Sequence, residues 1–207
     1  MNAPATGLRI AVADDERDMR LFFQELLPHM GHQVVVNAET GRQLVEESRA
    51  ARPDVVITDI KMPDMDGIEA ATAVNREHEV PVILVSAHQE AEVLSRSGGE
   101  HIMAYLIKPV KPADLQAAIT LAVLRFEQYQ HVRAEAASLR QTLEDRKLIE
   151  QAKGIAMRRL RLDEAEAYQR MRKLSSKHNW KLIDLARRLR EADAVFKAME
   201  ELGEPGA

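Results

Sequence analysis

The first 127 residues alternate five times between a short apolar run and a stretch whose apolar residues have helical spacing. The apolar runs are rich in valine and isoleucine, which suit buried strands, and they read LRIAVADD, QVVVNA, DVVITD, VPVILVSA and MAYLIKP. Regular alternation of strands and helices is typical of a parallel sheet with helices on both faces. We therefore predict an α/β domain with a five-stranded, doubly wound parallel sheet.

Helices should follow each of these strands and cover the sheet. Helical spacing is found in ERDMRLFFQELLPHMG, TGRQLVEESRAARP, GIEAATAVNREH and EAEVLSRSGG. A longer helix begins after Pro112, and no proline interrupts the chain from there to Arg159.

This last helix keeps its apolar spacing well beyond the length needed to cover a sheet. The stripe consists of Leu115, Ile119, Ala122, Phe126 and Tyr129, and then, one step shifted, of Val132, Ala136, Leu139 and Leu143. Its early part is explained by packing on the sheet, whereas a sustained stripe predicts pairing with another helix. We expect both, for successive segments: a helical linker or coiled coil over residues 128–138, and a homodimer through this helix.

Five residues with reactive or charged side chains stand at the ends of the predicted strands. Asp14 and Asp15 end the first strand, Asp59 the third, Ser86 the fourth and Lys108 the fifth. The ends of parallel strands meet at one edge of a sheet, where ligands bind. Clustered carboxylates repel one another unless a cation lies among them, and their oxygens suit Mg²⁺. A hydroxyl and an ammonium at the same spot suit a phosphoryl group, so we predict that Asp59 is a phosphoryl-accepting nucleophile.

The segment VVITDIKMPDMDG around Asp59 allows other interpretations. A calcium loop needs an oxygen ligand at its first position, where counting back from Gly67 places Met62, so that interpretation fails. A turn that merely favours acidic residues remains an alternative. Asp64 and Asp66 are predicted as a turn residue and a helix-start residue.

The acid pair after the first strand, DIKMPDMDG, the Ser-Ala dipeptide and AYLIKP together resemble the receiver domain of two-component response regulators, over about residues 7–127. The resemblance implies the flavodoxin-like form of the fold. It implies that a sensor histidine kinase phosphorylates Asp59, and that the protein is a phosphoacceptor with at most weak autophosphatase activity rather than an enzyme. A phosphatase with an aspartyl nucleophile would carry that residue on its first strand, whereas Asp59 ends the third.

The same resemblance assigns roles around Asp59. It implies a Mg²⁺ site formed by the carboxylates of Asp14, Asp15 and Asp59 and by the backbone carbonyl of Lys61. It also implies that the catalytic and switch residues are Ser86, Lys108 and Tyr105, with the hydroxyl of Ser86 moving toward the phosphoryl group and the ring of Tyr105 turning inward behind it.

The charge of the chain is divided between its two parts. The net charge is −4 overall, but residues 1–127 hold 12 basic and 20 acidic residues, whereas residues 146–190 hold 14 basic and 5 acidic ones. An acidic N-terminal part and a basic C-terminal part indicate two modules, and the basic one is expected to bind a polyanion. A solvated helix surface is the alternative explanation of the basic segment.

The basic segment resembles the ANTAR domain, a three-helix RNA-binding module of transcription antitermination regulators, over about residues 139–193. The motifs that carry the resemblance are IEQAKGIAM, EAEAYQRMRKLS, and Asn179 followed by KLIDLA. It implies that RNA hairpins are the partners. The predicted RNA-binding residues are Lys153, Arg158, Arg159, Lys173, Lys177, Asn179, Trp180 and Lys181.

Several expectations concern the packing of this basic module. Trp180 is expected either to stack on a base or to be a buried anchor. Gly154 inside a helix costs about 1 kcal/mol against alanine, which predicts the close approach of another backbone. The predicted small core consists of Ile149, Ala152, Ala156, Leu160, Ala167, Met171, Leu174, Ile183, Leu185 and Leu189.

We therefore divide the chain into a receiver domain at 1–127, a linker at 128–138 and an ANTAR-like domain at 139–200. The sequence contains no run of eighteen apolar residues, so no membrane span is predicted. The absence of cysteine fits a reducing cytoplasm. Two other outputs stay open: a DNA-binding module, because three basic helices can imitate a helix-turn-helix, and a module that binds an acidic protein.

Overall fold

The computed structural model describes residues 7–87 and 101–202, which belong to two compact units, residues 1–131 and 132–207. The first unit contains one parallel sheet with the strand order β2-β1-β3-β4-β5. The predicted five-stranded, doubly wound sheet is therefore confirmed. Its strands are β1 (Arg9–Ala13), β2 (Gln33–Ala38), β3 (Val55–Asp59), β4 (Val82–Ser86) and β5 (Ile102–Ile107).

Six helices lie in the described parts of the chain. They are α1 (Arg17–His29), α2 (Gly41–Ala51), α3 (Gly67–Glu77), α4 (Pro112–Leu160), α5 (Glu164–Lys177) and α6 (Leu182–Leu202). The helix predicted in EAEVLSRSGG, residues 90–99, lies outside the described residues. Although α4 is 49 residues long, no helix among the described residues is both long and apolar enough to cross a membrane.

The sheet is buried on both faces because alternate residues of its strands enter two different cores. In β1, Ile10 and Val12 join the core that also contains residues of α1 and α4. Ala11 and Ala13 join the core on the other face, beside residues of α2 and α3. This double burial explains why the strands are continuous apolar runs rather than alternating ones.

The order of the strands reverses at β1, which pairs with β2 on one side and with β3 on the other. The residues that follow Ala13 therefore emerge beside the end of β3, where Asp59 pairs with Val85 of β4. Such a switch point leaves a crevice at the carboxyl ends of the strands, the usual binding position in an open α/β sheet.

The long helix α4 is continuous where the sequence predicts a linker. Its early part covers the sheet, and Leu115, Ile119 and Ala122 are completely buried in the core. Within the second unit, Val132, Leu139 and Leu143 remain 63%, 59% and 67% exposed. Three residues in the later part of the predicted stripe are therefore exposed in the single chain.

The second unit has a small core made largely of alanine. Its buried members are Ala152, Ala156, Ala167, Met171, Leu185 and Ala186. Ile149 and Leu189 pack against this core, as predicted, whereas Ile183 is only half-buried.

Two leucines that were predicted in this core are exposed. Leu160 is 56% exposed because it is the last residue of α4, and Leu162, after the left-handed turn at Arg161, packs against the core instead. Leu174 is 41% exposed because the buried stripe of α5 passes from Met171 to Ser175, four residues apart. The predictions for Leu160 and Leu174 are therefore wrong.

Candidate functional site

Four acidic side chains meet at the carboxyl ends of β1 and β3. Asp14, Asp15, Glu16 and Asp59 each offer a carboxylate oxygen, and these oxygens all lie within 4.8 Å of one another. Asp14 is completely buried and Asp59 is 7% exposed, whereas Asp15 and Glu16 are exposed. The sequence analysis missed Glu16, although its position directly after the acid pair was a signal.

The ammonium group of Lys108 lies among these carboxylates. Its Nζ is 2.6 Å from Asp59, 2.8 Å from Glu16 and 3.0 Å from Asp14. The end of β5 positions this lysine, because the backbone N–H of Lys108 donates to the carbonyl of Ser86 at the end of β4. The structure therefore brings Asp14, Asp59 and Lys108 together, as predicted.

Two groups in this crevice, Lys108 and Asp14, have shifted pKa values. Burial by itself lowers the pKa of Lys108, but its hydrogen bonds to Asp59, Glu16 and Asp14 outweigh burial, so that the pKa is raised and the lysine is firmly protonated. Burial raises the pKa of Asp14 above its ordinary value, and the hydrogen bond from Lys108 opposes this effect. One cation thus serves several carboxylates, an arrangement that favours a second cation.

Asp59 is presented by a tightly packed loop. The backbone N–H of Lys61 donates to the Asp59 carboxylate at 3.2 Å, and the N–H of Gly67 donates to the carbonyl of Ile60 at 2.9 Å. A Cβ atom added at Gly67 would lie 1.9 Å from the backbone oxygen of Asp59. Gly67 is therefore required because the start of α3 runs directly behind Asp59.

The acidic residues between Asp59 and α3 shape the loop. Asp64 adopts a left-handed conformation with φ of 68°, which aspartate tolerates better than most residues. Asp66 is the N-cap of α3, and its carboxylate accepts hydrogen bonds from the N–H groups of Ile68 and Glu69. The predicted roles as turn and helix-start residues are confirmed.

A buried arginine that the sequence analysis missed supports the acid pair. Arg20 is 8% exposed, and its Nη1 donates to the backbone carbonyls of Asp14 at 2.9 Å and of Asp15 at 3.1 Å. Nη2 of Arg20 forms an ion pair with the carboxylate of Glu39. Arg20 thereby restrains the backbone that carries two of the carboxylates.

The predicted switch residues lie on neighbouring strands. Ser86 is buried at the end of β4, and Tyr105 is half-buried on β5, opposite Leu84 in the pairing of the two strands. The Tyr105 side chain packs against the core that contains residues of α2 and α3. The coupled motion of the two side chains stays a prediction.

The crevice has the donor chemistry of a Mg²⁺ site. Its carboxylates supply hard oxygen ligands, and the exposure of Asp15 leaves room for the waters that Mg²⁺ usually keeps. The residues that would hold the ion are Asp14, Asp15 and Asp59, with the backbone carbonyl of Lys61 as the predicted further ligand. Glu16 is an additional carboxylate at the edge of the site.

In the second unit, three of the predicted RNA-binding cations form ion pairs with neighbouring acids. Lys153, whose side chain is 11% exposed, pairs with Glu150 and lies 2.8 Å from Glu164. Hydrogen bonds to these two acids raise the pKa of Lys153.

The other two of these predicted RNA-binding cations are Arg158 and Arg159. They lie 3.7 Å and 2.9 Å, respectively, from Asp193 of α6. Arg159 also lies 2.7 Å from Glu200. The hydrogen bond from Arg159 lowers the pKa of Asp193, which keeps this carboxylate ionised. These pairs connect the end of α4 with α6.

Three predicted lysines have a different environment. Lys173, Lys177 and Lys181 are exposed, and none of them makes an ion pair with a described residue. They lie on α5 and near the turn between α5 and α6. Their ammonium groups are available to a polyanion.

The turn between α5 and α6 contains the other two predicted RNA contacts. Asn179 is exposed and left-handed, with φ of 53°. Trp180 is half-buried against the small core, and its ring stacks on His178 at 4.7 Å and lies 4.1 Å from the guanidinium of Arg188. Trp180 is thus a packed anchor whose ring also lies in a basic environment.

Comparison with known proteins agrees with this division into two units. The protein-family model of the response regulator receiver domain matches residues 10–120, and the family model of the ANTAR domain matches residues 137–189. The transcriptional regulatory protein PdtaR of Mycobacterium tuberculosis is 36% identical over 79% of this chain and 80% of that protein. The chemotaxis protein CheY of Thermotoga maritima is 27% identical over 55% of this chain and 95% of that protein.

A solved structure supports the same assignment for the first unit. The receiver domain protein from Clostridium thermocellum matches 58% of this chain and 98% of that chain, with 28% identity and a TM-score of 0.53. The doubly wound sheet and its acidic crevice define a receiver. With the matching second module, the chain belongs to the response regulators that join a receiver domain to an ANTAR domain. Such a regulator is a signalling protein with an RNA-binding output.

Proposed function

We propose that a sensor histidine kinase phosphorylates Asp59 and that this modification controls RNA binding by the second unit. A carboxylate oxygen of Asp59 forms a bond to phosphorus while the bond from phosphorus to the histidine nitrogen of the kinase breaks. The imidazole leaves and takes up a proton from its surroundings. The crevice at the carboxyl ends of β1 and β3 supports this proposal, because Asp59 lies beside the ammonium group of Lys108 there.

The residues around Asp59 position the incoming group. Lys108 exchanges part of its contact with Asp59 for a phosphoryl oxygen, and Ser86 donates a hydrogen bond to another. Asp14, Asp15 and Asp59 would hold Mg²⁺, which would offset the negative charge of the carboxylates and of the phosphoryl group. The contribution of the protein to phosphoryl transfer is positioning and charge. We expect at most weak autophosphatase activity.

The output acts on RNA. Movement of Ser86 and Tyr105 transmits the modification to the surface of the first unit, and the second unit binds RNA hairpins that control transcription termination. The bound hairpin lets transcription continue, which makes the protein an antitermination regulator of the cytoplasm. The exposed Lys173, Lys177 and Lys181 support this proposal, because they leave positive charge without acidic partners among the described residues.

The long helix favours a homodimer. Its exposed Val132, Leu139 and Leu143 are separated by seven and four residues, the spacing of a coiled-coil seam. Two copies of α4 that pair along this stripe bury side chains that are exposed in the single chain. A dimer also presents two RNA-binding units, which raises the apparent affinity for an RNA that carries two hairpins.

The observation that carries the proposed function is the contact of 2.6 Å between Lys108 and Asp59 in a cluster of carboxylates. The test is incorporation of phosphate from a small acyl phosphate donor in the presence of Mg²⁺. Asp59→Ala should abolish incorporation, whereas Asp66→Asn, which removes an acid from the same loop but keeps a helix cap, should retain it. Phosphate labelling of Asp59→Ala contradicts the assignment.

The output is tested separately with RNA hairpins and duplex DNA across a salt series, with and without Mg²⁺ and a phosphoryl mimic. Tighter binding of hairpins with the mimic supports a phosphorylation-controlled antiterminator. Preference for the duplex favours a DNA-binding output. Weak binding to both, lost at moderate salt, favours an acidic protein partner.

A further inference from the structure

Gly154 occupies an unexpected environment. It lies inside α4, where glycine costs about 1 kcal/mol relative to alanine, and we therefore expected a backbone to approach it closely. The structure contradicts this for the described residues. Apart from its chain neighbours and its own helix backbone, the one atom of the described residues within 4 Å of an added Cβ is Nη1 of Arg158, at 3.6 Å, an ordinary contact with a flexible side chain. Packing within the described chain therefore does not require a glycine.

The absence of a side chain at Gly154 instead deepens a surface groove between α4 and α6. The groove has a volume of about 640 Å³, which is in the range of ligand pockets, about 300 to 1,000 Å³. Four cationic side chains line it: Lys147 and Arg158 from α4, and Arg190 and Lys197 from α6. Bare helix backbone is thus exposed between two cationic walls.

The carboxylates of this groove are already occupied. Glu150 pairs with Lys153. Asp193 is shared by three cations, Arg159 at 2.9 Å, Lys197 at 3.4 Å and Arg158 at 3.7 Å, so that one carboxylate faces three positive charges. Lys147 and Arg190 make no ion pair with any residue in the described parts of the chain. The groove therefore keeps a surplus of positive charge, which suits a polyanion.

We propose that the sugar–phosphate backbone of the bound RNA lies in this groove, in van der Waals contact with α4 at Gly154, and that Lys147, Arg158, Arg190 and Lys197 pair with its phosphates. This inference rests on the proposed RNA-binding function and adds a site to it. A methyl group at residue 154 occupies the space of the ribose or phosphate. The glycine is thus retained for the ligand at the expense of helix stability.

The decisive variant is Gly154→Ala in the full-length protein. Its melting temperature should equal or exceed that of the wild type, because alanine favours the helix and meets no backbone. Its affinity should fall about tenfold for RNA hairpins selected by the wild-type protein from a library with randomised loops, because the RNA backbone can no longer approach the helix closely. Binding is measured with Mg²⁺ and a phosphoryl mimic at fixed salt.

A second variant tests the cationic walls. Lys147→Gln combined with Arg190→Gln should reduce the slope of log Kd against log salt by about 0.7 to 0.9 for each phosphate that the variant no longer neutralises. Lys111→Gln, which removes an exposed charge from the first unit, should leave the slope unchanged.

The outcomes separate this inference from the proposed function. If the wild type binds no hairpin in preference to duplex DNA, the proposed RNA-binding function fails. If the wild type binds hairpins and Gly154→Ala binds them equally well, the groove is overturned as the RNA site while RNA binding stands. A lower melting temperature of Gly154→Ala also overturns the inference, because the glycine is then required by the fold.

Discussion

The ammonium group of Lys108 lies 2.6 Å from the carboxylate of Asp59. The predicted nucleophile therefore has a cationic partner, supplied by the end of another strand. The same ammonium group also contacts Asp14 and Glu16, so it is the element that allows the carboxylates to lie together. Its removal should affect both the fold and the chemistry.

Lys108→Met should destabilise the protein in EDTA by about 3 kcal/mol, because it leaves buried carboxylates without a partner. Added Mg²⁺ should then stabilise the variant more than the wild type, since the ion meets acids that have lost their resident cation. Denaturant unfolding with EDTA and with Mg²⁺ measures both effects. An equal Mg²⁺ response in the two proteins contradicts this account.

Arg20→Met should lower the affinity for Mg²⁺ about tenfold, the usual cost of losing a residue that supports metal ligands. Arg20 acts through the carbonyls of Asp14 and Asp15 and is therefore a positioning residue. The midpoint of Mg²⁺-dependent thermal stabilisation measures the affinity. The rate of phosphate incorporation at saturating Mg²⁺ should change less than the rate at low Mg²⁺.

Two controls accompany the Arg20 variant. Arg17→Met removes an equal charge from an exposed position of the same helix and should leave the Mg²⁺ midpoint unchanged. Arg20→Lys should recover only part of the affinity, because an ammonium lacks the planar fork of guanidinium. A general loss of stability with an unchanged Mg²⁺ midpoint would mean that Arg20 has only a structural role.

Gly67→Ala should destabilise the first unit by about 2 kcal/mol or more, as overpacking does. The added methyl group would lie 1.9 Å from the backbone oxygen of Asp59, so α3 or the strand must move. Phosphate incorporation should fall with stability, because the carboxylate moves with its backbone. Chemical denaturation measures the effect, and Glu69→Ala, at an exposed position of α3, is the control that should behave as the wild type.

Stability should fall on mild acidification because of His32. Its side chain is 4% exposed, its ring nitrogens have no hydrogen-bond partner among the described residues, and burial lowers its pKa below the ordinary 6.5. The unfolded chain therefore binds a proton near pH 6.5 and the folded chain only at lower pH, so stability decreases as pH falls through this window.

The measurement for His32 is the free energy of unfolding between about pH 7.5 and 5.5, on either side of the ordinary pKa of histidine. His32→Leu should show a smaller decrease than the wild type. His131→Gln, at an exposed position, should retain the wild-type slope. Identical pH dependence in all three proteins would show that His32 does not titrate in this way.

The sheet and its edge could be predicted because the strands are buried on both faces. The strand Val55–Asp59 has every residue buried, and its sequence begins with the apolar residues Val55, Val56 and Ile57 and ends on the candidate site residue Asp59. Asp14, Asp59 and Lys108 were found by this rule. Arg20 and Glu16 were missed because they do not directly follow a strand, and their contacts depend on the path of the loop before α1.

The second unit was less predictable because alanine fills most of its core. Helical spacing shows which residues share a face, but it does not show where a helix ends or how wide its buried stripe is. The prediction for Leu160 was wrong because it lies at the end of α4. The prediction for Leu174 was wrong because it lies beside the buried stripe of α5. Pairing of cations with acids is likewise invisible in sequence when the partners are distant, as with Arg159 and Asp193.

Asn179 stands in the turn between α5 and α6 with φ of 53°. Asparagine, aspartate and glycine enter this left-handed region far more readily than other residues. Chain geometry alone therefore favours asparagine, aspartate or glycine at this position, whichever nucleotides the second unit binds. The presence of an asparagine in this turn is explained by the backbone and carries no information about the sequence of the RNA target.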